Sequence, residues 1–192
     1  MEAHKTRRNP LPSQPNPWKI LSRKTVFENP WMQVESFDTL HPGGKPAHYG
    51  VVRPRNWAIG IIPLDDNLNT WLVGQWRFPL ERYSWEIPEG GGHKDLDPLV
   101  SAQRELREET GLVASHWELI LEMDISNSIT DEQGFVYVAK GLTQLAAQPD
   151  EDEDLQLIKL PFREVFERTL AGEITDSLAV AGILKLAHLL KL

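Results

Sequence analysis

The chain has 192 residues, 41% of them hydrophobic and 25% charged, with a formal net charge of −8. It has no cysteine, which excludes disulfides, thiolate metal sites and cysteine nucleophiles and leaves oxygen or imidazole ligands for any metal. The acidic balance argues against nucleic-acid binding, which needs a basic face, but leaves room for a small anion where a divalent cation and a few arginines reverse the local field.

Residues 1–16 are polar and proline-rich, without an apolar signal region, and read as a disordered tail. Three β-like segments follow, Lys19–Glu28, Met32–Leu40 and His48–Arg53, the last two joined by the turn His41–Pro46. Such a small antiparallel sheet needs something to pack against. Pro54–Asn56 reads as the boundary to the main domain. That domain opens with the apolar run Trp57–Leu64, a turn at Asp65–Asn67, and strands Thr70–Arg77 and Tyr83–Ile87. Pro88–Gly92 reads as a glycine loop that lets backbone approach a ligand. A helix is predicted over Pro98–Thr110, with Pro98 in its first turn and Gly111 just past its end. Strands His116–Met123, Phe135–Ala139 and Leu155–Leu160 follow, then helices Phe162–Ala171 and Ile174–Leu190. The apolar stretch Leu178–Leu192 is too short, and too interrupted by Lys185, His188 and Lys191, to span a bilayer. The expectation is a cytoplasmic α/β protein with no membrane or nucleic-acid partner.

The segment Arg104–Leu112 carries the chemistry. Residues at i, i+3 and i+4 share a helix face, so Glu105, Glu108 and Glu109 point the same way. Like charges at this spacing destabilise a helix by a few tenths of a kcal/mol per pair, on the order of 0.2–0.5. A hard divalent cation such as Mg²⁺, which prefers carboxylate oxygens, removes that cost; a solvated charged face neutralised by Arg104 and Arg107 is the other reading of the triplet alone.

Gly90, the spacer after it and Arg104-Glu-Leu-Arg-Glu-Glu-Thr-Gly-Leu112 together resemble the Nudix box: Gly, five residues, Glu, seven residues, then Arg-Glu-aliphatic-x-Glu-Glu-x-Gly-aliphatic. The spacing fits without a gap. One position departs, since Leu96 stands where the pattern has its first glutamate, flanked by Asp95 and Asp97. Gln75–Pro79, Trp85–Pro88 and the N-terminal sheet are similar to the ADP-ribose and nucleoside diphosphate sugar pyrophosphatase branch. This resemblance implies a Nudix α/β/α sandwich with a mixed sheet, plus a small N-terminal antiparallel β-sheet lobe. The chain then divides into a tail over 1–16, a lobe over 17–56 serving dimerisation and the substrate base, and a hydrolase domain over 57–192.

By the same resemblance the activity is Mg²⁺-dependent hydrolysis, with Mn²⁺ as substitute, of the diphosphate linkage of a nucleotide sugar. The metal falls to Glu105, Glu108 and Glu109 and to the backbone carbonyl of Glu89, and Glu108 also counts as catalytic. The general base falls on the acidic run Asp150–Asp154, as Glu151 or Glu153. Trp31 and Tyr49 take the places of the aromatic pair around the base, Arg77 and Arg53 those of the substrate arginines, and Gly90 and Gly91 line the substrate loop. A homodimer with swapped N-terminal lobes is implied. Gly50 follows Tyr49 where an acidic residue reads adenine, and Ser126–Glu132 lacks a proline common in ADP-ribose enzymes. Both lean the reading toward broader substrates such as GDP-mannose or ADP-glucose, with ADP-ribose-specific hydrolysis and a non-catalytic nucleotide-sugar sensor as alternatives.

Overall fold

The computed structural model describes residues 11–145 and 155–192, which form ten strands and three α-helices. Strands β1 (Lys19–Glu28), β2 (Met32–Leu40) and β3 (Pro46–Pro54) make an antiparallel sheet in that order. The β2–β3 turn closes through His41 N to Lys45 O, at 3.0 Å, with Gly44 at φ 80°, a backbone region that glycine enters without steric cost. Asn29 shapes the β1–β2 turn, its Oδ1 accepting from Trp31 N at 2.9 Å and Met32 N at 2.8 Å. All of β1 is exposed, Ile20, Leu21, Val26 and Phe27 included.

Strands β4 (Asn56–Pro63), β7 (Glu89–His93), β8 (Leu112–Asp124) and β9 (Gln133–Gln144) form the central sheet in the order β7-β4-β9-β8. The β4–β9 pair is parallel and its neighbours are antiparallel, so the sheet is mixed. A third sheet has the order β10-β5-β6, from Gln156–Pro161, Asn69–Arg77 and Arg82–Glu86. Side-chain alternation along β4 and β9 divides the core. Ile59, Ile61, Tyr137 and Ala139 pack with Ala102 and Leu106 of helix α1 (Pro98–Thr110). Ile62, Val136 and Val138 pack with Phe162 and Val165 of α2 (Phe162–Leu170) and with Leu178, Ile183 and Leu186 of α3 (Ser177–Leu190). Each fully buried aliphatic or aromatic side chain contributes about 1.5–3 kcal/mol of hydrophobic stabilisation. Helices on both faces of the sheet give the expected α/β/α sandwich, with the small antiparallel sheet beside it.

Two local expectations change. Glu89–His93 is a strand rather than a loop, because the edge of β4 pairs with it from Asn56↔His93 to Gly60↔Glu89. The last helix begins at Ser177, not residue 174, because the Asp176 carboxylate caps it, accepting from Ala179 N at 2.8 Å. Helix α1 runs as predicted: Asp97 caps it through Leu99 N, Pro98 opens it, and Gly111 closes it at φ 69°. The lobe meets the main domain at 126–131, where Val52 N donates to Ile129 O at 2.9 Å and the Tyr49 hydroxyl to Ser128 O at 2.6 Å. Among the described residues no helix is long and apolar enough to cross a membrane.

Candidate active site

Helix α1 turns Glu105 and Glu109 inward, 8% and 7% exposed, while Glu108 is half-buried at the edge of the same face. Charged residues are rarely this buried without partners. Arg104 supplies several: it donates to Glu105 Oε1 and Glu108 Oε2, each at 2.5 Å, and to the Gly91 carbonyl at 3.0 Å. One guanidinium therefore ties the glutamates of α1 to strand β7. The Glu89 N–H donates to Glu109 Oε2 at 3.0 Å, making a second tie. Gly90 lies directly under Glu105, and a β-carbon there would overlap the Glu105 carboxylate.

Beside this stripe opens a cleft of about 310 Å³ lined by Trp31, Asn56, Trp57, Arg77, Glu132 and the Glu89–Gly91 backbone, among others. It gathers Trp31, Arg77, Glu89, Gly90 and Gly91 of the sequence-predicted residues. Tyr49 and Arg53 lie instead in a separate cavity of about 250 Å³ in the lobe, with Trp18 and Phe37. Trp18 meets Tyr49 edge-on, ring centroids 5.7 Å apart. Within one chain, then, Trp31 and Tyr49 line different cavities. Arg53 is held by Glu35 at 2.6 Å and Asp131 at 2.7 Å, and these carboxylates keep its guanidinium firmly charged. Glu151 and Glu153 lie outside the described residues.

Arg77 reaches the cleft from the end of β5. Its Nε donates to both Glu86 oxygens at 3.1 and 3.0 Å, and its Nη2 to Glu86 Oε2 and Glu89 Oε1, each at 2.6 Å. Glu86, Glu89 and Asp176 form a carboxylate cluster whose oxygens lie within 4.8 Å of one another. Burial, reinforced by the charges of Asp176 and Glu86 and opposed by Arg77, pushes the Glu89 carboxyl well above the usual range. Glu89 Oε2 is buried with no hydrogen-bond partner among the described residues. Burial also raises Glu132, opposed by Lys94 and aided by Asp131.

Sequence reasoning did not single out Glu86, Glu132 or Asp176. Asp176 carried a readable signal, a capping residue just before an apolar helical run. Glu86 and Glu132 carried none without their spatial neighbours.

The donors around α1 suit a hard divalent cation. They are the carboxylates of Glu105, Glu108 and Glu109, with the main chain of Glu89 alongside and Gly90 beneath, whose missing side chain makes room for the Glu105 carboxylate.

Residues 54–178 match the model of the NUDIX domain, and residues 18–52 that of the nucleoside diphosphate sugar hydrolase N-terminal domain. The chain is 38% identical over 174 residues to an ADP-ribose pyrophosphatase of Mycobacterium tuberculosis, covering 87% of this chain and 82% of that protein. It is 33% identical over 167 residues to a methanol dehydrogenase activator of Bacillus methanolicus, covering 86% and 90%. Its fold matches the crystal structure of an ADP compounds hydrolase with a TM-score of 0.82 at 21% identity, over 94% of this chain and 97% of that one. With the box on a capped helix, its glutamates turned onto a glycine strand and both parts of the chain matched, this protein belongs to the Nudix family of pyrophosphohydrolases.

Proposed function

We propose that the chain hydrolyses the diphosphate bridge of a nucleoside diphosphate sugar, with ADP-ribose as the first substrate to test. The observation that carries this reading is the pairing of a Nudix domain with the nucleoside diphosphate sugar hydrolase lobe in one chain, beside 38% identity to an ADP-ribose pyrophosphatase over 87% of this chain. Residues 17–56 serve as the base-binding and dimerising lobe and 57–192 as the hydrolase domain.

Water adds to one phosphorus and the bridging P–O bond breaks, releasing a nucleoside monophosphate and a sugar phosphate. Glu105, Glu108 and Glu109, with the Glu89 carbonyl, would hold Mg²⁺ or Mn²⁺. Bound there, such a cation would supply charge to offset the phosphates and to acidify a water. Arg77 orients the diphosphate, because a guanidinium fork matches its oxygens. Gly90 and Gly91 contribute only backbone to the cleft floor, leaving room for the Glu105 carboxylate and the Asn56 amide. Glu151 or Glu153 accepts the proton of the attacking water. Turnover at saturating Mg²⁺ should fall at least about tenfold, roughly 1.4 kcal/mol of barrier, in Glu151→Gln or Glu153→Gln. If neither falls, the base lies elsewhere.

The wholly exposed β1, with Ile20, Leu21, Val26 and Phe27, supports burial against a second copy, and hence a homodimer with exchanged lobes. Exchange would also bring aromatic residues of two lobes to one base, which suits the separation of Trp31 from Tyr49 within a chain. Light scattering at the mass of a monomer would contradict this.

The deciding assay is a panel of ADP-ribose, ADP-glucose and GDP-mannose, read as phosphate freed by a coupled phosphatase. Cleavage of none, with either metal, overturns the proposal. Gly50, beside Tyr49, favours a second reading of broad specificity, because it offers no side chain to distinguish adenine. Values of kcat/KM within about threefold across the panel would establish it, since that spread is well under 1 kcal/mol of discrimination.

A further inference from the structure

We propose that Glu86 is the positioning residue for Arg77, setting the direction in which that guanidinium meets the diphosphate. The inference rests on the reading of Arg77 as a substrate contact.

Glu86 is not among the residues lining the cleft and is 2% exposed at the inner end of β6. Its backbone stands opposite Val73, and Val73, Gln75 and Arg77 share one face of β5. The arginine therefore lies back along the ribbon to reach it. Three of the four hydrogen bonds that Arg77 makes go to Glu86, through Nε and Nη2. The fourth goes to Glu89, on the strand that carries the glycine floor. A guanidinium pinned along its Nε/Nη2 edge has lost the freedom to swing, and its Nη1 has no partner among the described residues. Arg77 lines the cleft beside Glu89, Gly90 and Gly91, so the held guanidinium borders the place where phosphates would lie. Fixing a long, rotamer-rich side chain before the ligand arrives lowers the ordering cost of binding. Glu86 is a buried carboxyl group tied to one guanidinium by three hydrogen bonds, so the pair holds its geometry without substrate.

The test is a double-mutant cycle on the full chain with ADP-ribose and saturating Mg²⁺: Arg77→Ala, Glu86→Gln and the double variant, with thermal denaturation of each. Arg77→Ala should lower kcat/KM strongly. Glu86→Gln in the wild-type background should raise KM about tenfold with a smaller effect on kcat, the pattern of a lost binding contact. Added to Arg77→Ala it should change kcat/KM by less than about twofold, because a residue that acts through another has nothing left to act on. Glu86→Asp, which keeps the charge, should recover part of the KM loss, and if Glu86→Gln does not fold it takes that variant's place in the cycle.

Equal effects of the Glu86 change in both backgrounds would overturn the proposal, as would an unchanged kcat/KM for Glu86→Gln beside a damaged Arg77→Ala. An Arg77→Ala enzyme with normal kcat/KM would instead remove Arg77 from the substrate site, and this inference with it.

Discussion

Gly90→Ala tests the site by adding a single methyl group. Gly90 does not have the positive φ that would exclude alanine, and β7 keeps its pairing to β4 through backbone groups alone, so the strand tolerates the change. The new β-carbon would overlap all three terminal atoms of the Glu105 carboxyl group. That carboxylate must move by about 1 Å to regain van der Waals contact, and it can move because it ends a flexible side chain. Leaving its preferred rotamer costs about 0.5–1.5 kcal/mol, so folding should survive. The movement matters more for the reaction, because a misplacement of about 1 Å can cost on the order of a hundredfold in rate, or roughly 2.7 kcal/mol of barrier. We expect kcat/KM for ADP-ribose to drop about a hundredfold, Mn²⁺ affinity by calorimetry to weaken, and unfolding in guanidinium chloride to shift little. A variant with kcat/KM within about threefold of wild type would refute the claim that Glu105 must occupy its present position.

Other expectations follow from the same coordinates. Glu109→Gln removes a charged oxygen donor that also accepts from Glu89 N–H, so Mg²⁺ or Mn²⁺ binding should weaken in a calorimetric titration. Phe162 is fully buried between α2 and the sheets, and Phe162→Ala should cost about 3–5 kcal/mol in equilibrium unfolding. Asp65 is pushed up by burial, but the Lys159 ammonium at 2.8 Å and the Asn67 and Asn69 donors outweigh this and hold it well below the ordinary carboxylate range. Its folded pKa is thus depressed, so its stabilisation is complete above the unfolded value and is lost as pH falls through the folded one. The Tm gap between wild type and Asp65→Asn should be constant near neutrality and should narrow below about pH 4.

Helix α1 was legible because every signal in it is local. Asp97, Pro98 and Gly111 mark its ends, and the spacing of Glu105, Glu108 and Glu109 sets their shared stripe. The glycine strand was not, since Glu89–His93 has almost no side-chain pattern and becomes a strand only because β4 offers an edge. Arg53 looked available for substrate, but its partners Glu35 and Asp131 lie 18 and 78 residues away in sequence. The Tyr49 hydroxyl likewise finds Ser128 across 79 positions. Glu86 ends β6, Glu89 opens β7 and Asp176 caps α3, and only the folded chain brings the three around Arg77.

A single residue, Arg55, separates β3 from β4, and its N–H is fastened to Trp31 O at 2.8 Å. The junction has no slack for a hinge. On the proposed reading, the lobe and the glutamate helix stand as the fixed jaws of a gauge. Within one chain the span between them is set by the backbone, so in a dimer with exchanged lobes each copy would offer its lobe to the shared site at the same fixed reach.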